Sequence, residues 1–262
     1  MSATGRRDRW IYCRVARPEC RLRLFCLPFA GGGASAFNAW PGAFPDTVEL
    51  HAVQLPGRES RYGEASLSDV HEAAGLIADA MQPYLDRPYV VYGYSMGALI
   101  SFEVIRELRG RGAPLPGGLF VGARRAPHLA ANSRPLAELP REEFLEQVRR
   151  YYDPPVALWQ DPDLLGLILP VLRADLSLCE RYVYRPGPPF DFWIQAFGGS
   201  QDRSAPLPVV QAWHEQTTGE FALEAFEGAH FFVNTHLRKM QQIMFSRLEP
   251  LMSGAASSLF RR

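Results

Sequence analysis

The stretch that decides the fold is Tyr89-Val90-Val91-Tyr92-Gly93-Tyr94-Ser95-Met96-Gly97-Ala98-Leu99-Ile100. It begins as a nearly continuous apolar run, which is typical of a central parallel strand, and continues as a helix that ends near Gly110. Between the two lies Gly-x-Ser-x-Gly, the pattern of a tight strand-to-helix turn that presents a nucleophilic serine. Bulky side chains beside this serine would clash, so glycine is expected on both sides. Ser95 is therefore the predicted nucleophile.

The rest of the chain alternates between strand-like and helix-like segments. The predicted strands cover residues 22–27, 48–53, 89–92, 118–123, 191–197 and 221–226. Apolar residues at helical spacing predict a helix over 68–85, with Ser68 or Asp69 as its cap. Such alternation predicts a mostly parallel central sheet flanked by helices. Together with the turn at Ser95 it predicts an α/β-hydrolase fold, in one domain that spans residues 1–262.

The segment from about residue 127 to 187 departs from this alternation. It contains an amphipathic helix start at 139–145 and a run at 163–172 that is apolar on more than one face. This segment is too long for a single crossover helix, so it predicts a helical lid inserted between strands. Ordinary crossover helices packed on the sheet are the alternative.

The base that activates Ser95 is expected late in the chain, because the triad order in this fold is serine, acid, histidine. His230 lies in a loop of small residues after the last predicted strand, where the base belongs. His128 falls in the predicted lid, whereas His214 and His236 fall in helical patterns. His230 is therefore the predicted general base.

The acid is expected in a loop after a late strand, and Asp202 meets this condition. Its role would be to hold the imidazole tautomer and stabilise the imidazolium. Asp191 begins the same strand and lies at the wrong end of the sheet. Four further aspartates lie in the predicted lid: Asp153, Asp161, Asp163 and Asp175. The alternative role for Asp202 is a cap before Ala205-Pro206.

The oxyanion hole needs two backbone N–H donors. Met96, directly after the nucleophile, is expected to supply one, and Ala30 in the loop Pro28–Gly33 is expected to supply the other. The competing interpretation of this glycine-rich loop is a phosphate cradle. It lacks the Gly-Lys-Ser/Thr sequence of such a loop.

Composition excludes several classes of function. The 28 basic and 28 acidic residues balance, so no bulk charge favours a nucleic-acid partner. No run approaches the length of a membrane helix, and no signal-type apolar run follows the N-terminal arginines, so the cytoplasm is the expected compartment. Four cysteines, Cys13, Cys20, Cys26 and Cys179, have no zinc-type spacing and are expected to be buried or inert thiols.

Five stretches together resemble the type II thioesterases that accompany polyketide synthases and nonribosomal peptide synthetases. They occur in family order: Leu24-Phe25-Cys26-Leu27-Pro28-Phe29-Ala30-Gly31-Gly32, Gln54-Leu55-Pro56-Gly57-Arg58-Glu59, Gly93-Tyr94-Ser95-Met96-Gly97-Ala98, Phe197-Gly198-Gly199-Ser200-Gln201-Asp202 and Gly228-Ala229-His230-Phe231-Phe232. One departure is Ala229, where glycine is expected in many relatives.

The resemblance implies an editing enzyme that hydrolyses acyl thioesters from the phosphopantetheine arm of an acyl or peptidyl carrier protein. Ser95, Asp202 and His230 would form its triad. No metal or organic cofactor is implied, since phosphopantetheine belongs to the carrier. A carboxylesterase or lipase acting on free esters is the alternative enzyme. A non-catalytic binding protein is the other alternative, but no triad member is missing.

The resemblance also gives the predicted lid a role, as the wall of an apolar chamber for the acyl group. Residues 164–172, Phe144 and Trp159 are candidates for its lining or for the carrier contact, and packing against the sheet is the alternative. Phe231 and Phe232 have two possible positions, at the border of this chamber or in the core, and core packing is favoured. Arg58 has two possible roles: a structural ion pair near the site, which is favoured, or a contact with the phosphate of the arm.

Overall fold

Buried apolar runs form the centre of the molecule as β-strands. The computed structural model describes residues 9–130, 135–153 and 160–253. Its strands are β1 Ile11–Tyr12, β2 Leu22–Leu27, β3 Val48–Val53, β4 Tyr89–Tyr94, β5 Gly118–Gly122, β6 Trp193–Gly199 and β7 Phe221–Phe226. They form one sheet in the order β1-β3-β2-β4-β5-β6-β7. Neighbours are parallel throughout except β1 and β3, which run antiparallel.

All six predicted strands are present. β2, β3 and β7 have the predicted bounds, and the others end within two residues of them. β1 was not predicted. It has only two residues, Ile11 paired with Val53 and Tyr12 paired with Ala52, which is too short for an alternation of apolar and polar residues to be visible.

The helices flank the sheet. They are α1 Val70–Met81, α2 Met96–Gly110, α3 Arg141–Tyr152, α4 Pro162–Glu180, α5 Leu207–Gln211 and α6 Val233–Met252, with short 3-10 helices at Ala34–Phe37, Trp40–Ala43, Glu59–Arg61, Gln82–Tyr84 and Ala212–Gln216. Asp69 caps α1, as one of the two predicted candidates, by accepting a 2.8 Å hydrogen bond from the Glu72 N–H. None of the described helices is long and apolar enough to cross a membrane.

The core lies in two layers, one on each face of the sheet. Successive strand residues point to opposite faces, and in β2 Phe25 packs in one layer and Leu24 in the other. The Phe25 layer contains Ile77 of α1, and the Leu24 layer contains Met244 of α6. The helices thus cover both faces, which is the predicted α/β architecture.

The helices α3 and α4 lie in the segment that was predicted to be a lid. They have an apolar cluster of their own, formed by Leu136, Leu139, Phe144, Val148, Leu169, Leu172 and Leu176. Residues 131–134 and 154–159, with the candidate Trp159, lie outside the described residues. A separate small core is what a helical insertion requires, while its action as a lid stays a prediction.

Candidate active site

Ser95 occupies the sharp turn between β4 and α2. Its φ is +54°, in the left-handed region that non-glycine residues rarely adopt. A Cβ atom on Gly93 would lie 2.3 Å from the Gly97 carbonyl oxygen, and a Cβ atom on Gly97 would lie 2.2 Å from the Leu27 carbonyl oxygen. Neither position can hold a side chain, so the predicted steric reason for both glycines is confirmed.

His230 connects Ser95 with Asp202. Its Nε2 lies 2.9 Å from Ser95 Oγ, and its Nδ1 lies 2.8 Å from Asp202 Oδ2. All three side chains are buried. Asp202 follows β6 and His230 follows β7, so their loops leave the same edge of the parallel sheet as the turn at Ser95. The structure thus brings together the three residues predicted as a triad, and their roles in catalysis stay a prediction.

The Asp202 carboxylate is held at both oxygens. While Oδ2 faces His230, Oδ1 accepts hydrogen bonds from the backbone N–H groups of Ser204 at 2.9 Å and Ala205 at 3.1 Å. Burial alone would raise the pKa of this carboxyl, but the hydrogen bond and charge of His230, with the bonds from residues 204 and 205, lower that pKa below its ordinary value. Asp202 therefore remains ionised at neutral pH. The alternative role as a helix cap is not observed, because Pro206 is the N-cap of α5 and no side chain caps that helix. Oδ1 instead holds the turn that precedes it.

Ser204 is a member of the site that the sequence did not reveal. Its Oγ lies 2.8 Å from Asp202 Oδ1 and 2.8 Å from His230 Nδ1. The hydroxyl can donate to the carboxylate and accept from the imidazole Nδ1–H. Nδ1 thus faces two acceptors, Ser204 Oγ and Asp202 Oδ2, which place the imidazole proton on Nδ1. Nε2 is then free to accept the Ser95 proton. The available signal was a serine two residues after the acid, a common turn position.

Aromatic rings surround His230. The Tyr94 hydroxyl donates to the His230 backbone carbonyl, and the Phe231 ring lies edge-on at 5.3 Å between centroids. Tyr152 of α3 contacts the imidazole edge-on at 4.9 Å. Burial raises the pKa of Tyr152 to about 12, so its hydroxyl stays protonated. The segment predicted as a lid therefore touches the histidine directly.

The loop after β2 and the start of α2 supply the predicted oxyanion donors. Ala30 lines the same cavity as Ser95, and Met96 is the first residue of α2. Within the described ranges, the N–H groups of Ala30 and Met96 donate no hydrogen bond. Unengaged N–H groups in this position suit an oxyanion, and this role stays a prediction.

Arg58 forms a buried ion pair with Asp175 of α4. Two guanidinium nitrogens lie 2.5 and 2.8 Å from the two carboxylate oxygens. The same carboxylate accepts the Gly31 N–H at 2.7 Å, and Arg58 also donates to the Gly32 carbonyl at 3.2 Å. The favoured interpretation of Arg58, a structural ion pair near the site, is confirmed.

An apolar cavity opens at Ser95, between the loop after β2 and the helices α3 and α4. It encloses about 870 Å³, solvent at its mouth included. Its larger apolar side chains are Phe29, Val148, Ile168, Leu172, Leu176 and Phe231. Within the predicted segment 164–172, Leu164 and Leu167 are instead 39% and 53% exposed.

The aromatic candidates for the chamber divide between lining and packing. Phe144 is fully buried in the cluster between α3 and α4, and Phe232 packs in the core as expected. Phe231 does both: its partly buried ring packs against the core and also lines the cavity.

The remaining histidines after Ser95 have other partners. His128 Nδ1 lies 2.8 Å from Gln216 Nε2. His214 and His236 each bind a backbone carbonyl, at 3.0 and 2.9 Å. None of the three contacts Ser95 in the described part of the chain, as the choice of His230 requires.

The four cysteines are free thiols. Burial raises the pKa of Cys26 and of Cys179 above the ordinary value, and burial together with the Glu49 charge raises that of Cys13 to about 11. The thiols of Cys13, Cys26 and Cys179 therefore remain protonated at neutral pH, which agrees with the prediction of inert thiols.

Cys13, Glu49 and His51 are the one group of metal-ligating types found among the described residues, with ligand atoms within 4.8 Å of one another. The sequence missed it because β3 brings distant positions together. Glu49 already binds His51 Nε2 at 2.6 Å and the Arg17 N–H at 2.7 Å, and Cys13 is held protonated. These donors therefore fit a metal ion poorly.

Comparison with known proteins agrees with this geometry. The thioesterase domain family matches residues 22–249. Gramicidin S biosynthesis protein GrsT of Aneurinibacillus migulanus is 38% identical, over 92% of this chain and 94% of its own. Among solved structures, the thioesterase RedJ of the prodiginine pathway of Streptomyces coelicolor is 37% identical, with a TM-score of 0.84 over 88% of this chain and 92% of RedJ. The type II thioesterase BorB of the borrelidin cluster is 32% identical, with a TM-score of 0.84 over 91% and 97%. The chain therefore belongs to the thioesterase family of α/β-hydrolases and is a type II thioesterase, an enzyme that hydrolyses thioester bonds.

Proposed function

We propose that this thioesterase removes acyl groups from the phosphopantetheine arm of acyl or peptidyl carrier proteins and so clears stalled chains from a polyketide or nonribosomal peptide synthase. The observation that carries the proposal is the bridge from Ser95 through His230 to Asp202, with contacts of 2.9 and 2.8 Å. The apolar cavity beside Ser95 supports it, because it can hold an acyl chain. GrsT, RedJ and BorB come from gramicidin S, prodiginine and borrelidin biosynthesis, which supports the pathway class.

The first half of the reaction forms an acyl-enzyme. His230 Nε2 accepts the Ser95 hydroxyl proton while Oγ attacks the thioester carbonyl carbon. The negative charge that develops on the carbonyl oxygen is stabilised by the N–H groups of Ala30 and Met96. The carbon–sulfur bond then breaks, and His230 returns the proton to the leaving thiolate of the arm.

The second half releases the acid. Water enters where the thiol left, gives its proton to His230 Nε2 and attacks the acyl carbon. The oxyanion occupies the same two N–H donors, the bond to Ser95 Oγ breaks, and His230 reprotonates the serine. Asp202 stays ionised throughout and stabilises the imidazolium through Nδ1. These steps use side chains and backbone groups alone, so we expect no cofactor requirement.

The test compares an acylated carrier protein with an oxygen ester of the same acyl group. Mass spectrometry follows the loss of the acyl mass from the carrier, and Ser95→Ala is the inactive control. We expect wild-type enzyme to hydrolyse the carrier thioester. Ser95→Ala should keep the circular dichroism spectrum of the wild type and hydrolyse none. Clear preference for the oxygen ester would favour the carboxylesterase alternative and overturn the proposal.

A further inference from the structure

A second cleft opens onto Ser95 and His230. Tyr152 and Leu176 border both this cleft and the apolar cavity, so the two spaces meet at the reacting groups. In contrast to the apolar cavity, its wall contains three arginines, Arg124, Arg125 and Arg203. The reacting serine thus lies between an apolar space and a basic one.

The topology of the sheet brings these arginines together. Arg124 and Arg125 follow the carboxyl end of β5, and Arg203 directly follows Asp202 beyond the end of β6. Strands β5 and β6 are parallel neighbours, so their carboxyl ends share the edge of the sheet where Ser95 lies.

None of the three arginines forms an ion pair with a described carboxylate. In contrast, nine other arginines do: Arg9, Arg17, Arg23, Arg58, Arg61, Arg87, Arg106, Arg111 and Arg247. The stretches outside the described ranges contain only one acidic side chain, Asp8.

The contacts of the three arginines are with neutral groups. Arg125 donates to the Ala130 carbonyl at 2.7 Å and to the Ser204 carbonyl at 3.5 Å. The Arg124 Nε is buried and has no hydrogen-bond partner in the described ranges. Arg203 is exposed, with no side-chain hydrogen bond or ion pair to a described residue.

The acidic groups nearby do not balance this charge. Glu180 faces the cleft with one negative charge, and its carboxylate is held in place by the N–H groups of Leu136 at 2.6 Å and residue 137 at 3.2 Å. Asp202 is engaged by His230. Asp153 borders Arg203 in an adjoining cleft, which also contains Arg149 and Arg150. Counted over both clefts and the triad, five arginines face the three carboxylates of Glu180, Asp202 and Asp153, so cations outnumber carboxylates on this side of Ser95.

Like charges repel within the cluster. Burial and the neighbouring Arg124 charge lower the pKa of Arg125, although a guanidinium stays protonated under any ordinary condition. A bound anion would relieve this repulsion, and guanidinium groups bind phosphate oxygens through paired N–H donors.

We propose that Arg124, Arg125 and Arg203 bind the phosphate of the phosphopantetheine arm while its thioester lies at Ser95. This inference rests on the proposed function and adds a binding site to it. The acyl chain enters the apolar cavity, and the arm leaves through the basic cleft. The diphosphate of coenzyme A and the phosphodiester on a carrier both present anionic phosphate oxygens at this place on the arm, so the substrates of the test separate the two sources.

The test uses one acyl group on four thiols: pantetheine, 4′-phosphopantetheine, coenzyme A and a carrier protein. The variants are Arg203→Gln and Arg125→Gln. Arg21→Gln is the matched control, since Arg21 is exposed at the start of β2, the opposite edge of the sheet. Loss of one charged hydrogen bond should lower kcat/KM for the three phosphate-bearing substrates about tenfold, mainly through KM. Pantetheine turnover should change less than twofold, and Arg21→Gln should change neither.

The inference alone is overturned by unchanged phosphopantetheine turnover in both variants, by an equal loss with pantetheine, or by an equal loss in Arg21→Gln. A defect with the carrier but not with 4′-phosphopantetheine or coenzyme A also overturns it, because the arginines would then contact the carrier protein itself. If wild-type enzyme hydrolyses no thioester, the proposed function fails instead. Calorimetry with Ser95→Ala then still decides the inference: acyl-4′-phosphopantetheine must bind more tightly than acyl-pantetheine, and Arg203→Gln must remove the difference.

Discussion

Two nitrogens of the Arg58 guanidinium lie 2.5 and 2.8 Å from the two oxygens of the Asp175 carboxylate, and both side chains are buried. Arg58 lies after β3 and Asp175 lies in α4. Because Asp175 also accepts the Gly31 N–H, one carboxylate links three segments: the loop beside Ser95, the loop after β3 and the helix that lines the apolar cavity.

Asp175→Asn should therefore destabilise the protein by about 3 kcal/mol, because it leaves the buried Arg58 charge without its partner. Urea unfolding measures the change. Glu220→Gln is the matched control, since Glu220 binds Arg247 at two points, 2.6 and 2.8 Å, but is mostly exposed. Glu220→Gln should lower the free energy of unfolding by less than about 1 kcal/mol. Equal losses in the two variants would contradict the importance of burial.

Asp202→Asn should lower kcat by about 10⁴-fold, because an amide can stabilise the wrong imidazole tautomer and cannot stabilise the imidazolium. Single-turnover hydrolysis of an acyl thioester measures it. Asp191→Asn is the control: Asp191 is exposed at the other end of β6 and should leave the rate unchanged. A near-normal rate in Asp202→Asn would assign the acid to a different carboxylate.

The serine turn and the sheet could be predicted because their causes are local. At Gly93 and Gly97 the backbone itself excludes a side chain, and a glycine requirement of this kind is visible in the sequence. Buried parallel strands such as β4 are continuous apolar runs. The order of Ser95, Asp202 and His230 followed from the fold once those elements were assigned.

The contacts that could not be predicted join residues that lie far apart in the sequence. The partner of Arg58 is Asp175, 117 positions later, and that pairing depends on where α4 lies against the loop after β2. The contact of Tyr152 with His230 depends in the same way on α3. Phe231 lines the cavity and Phe232 does not. This difference depends on the turn that enters α6, so the Phe-Phe pair alone could not decide between the two positions.

The lowered pKa of Asp202 predicts how stability depends on pH. A carboxyl with a depressed folded-state pKa contributes stability above its unfolded value, ordinarily 3.8, and loses it as pH falls through the folded-state pKa. The difference in unfolding free energy between wild type and Asp202→Asn should therefore be constant just above pH 5 and decrease below pH 4. Urea titrations at half-unit intervals measure it. A difference that grows on acidification would contradict the direction of the shift.

Leu172 offers a way to change the acyl-chain preference. It is 9% exposed, lines the apolar cavity, and lies within 3.6 Å of the position that a Cβ on Gly31 would occupy. Leu172→Trp should shorten the space available to the chain, and each two methylene groups excluded should lower kcat/KM roughly tenfold. Rates for acetyl to decanoyl thioesters measure the profile, in which acetyl turnover should be preserved.

Leu167→Trp changes the same residue type on the exposed face of α4 and should leave the profile unaltered. A uniform loss across all chain lengths in Leu172→Trp would show that the cavity does not hold the acyl chain, since a binding site for the chain must discriminate by length.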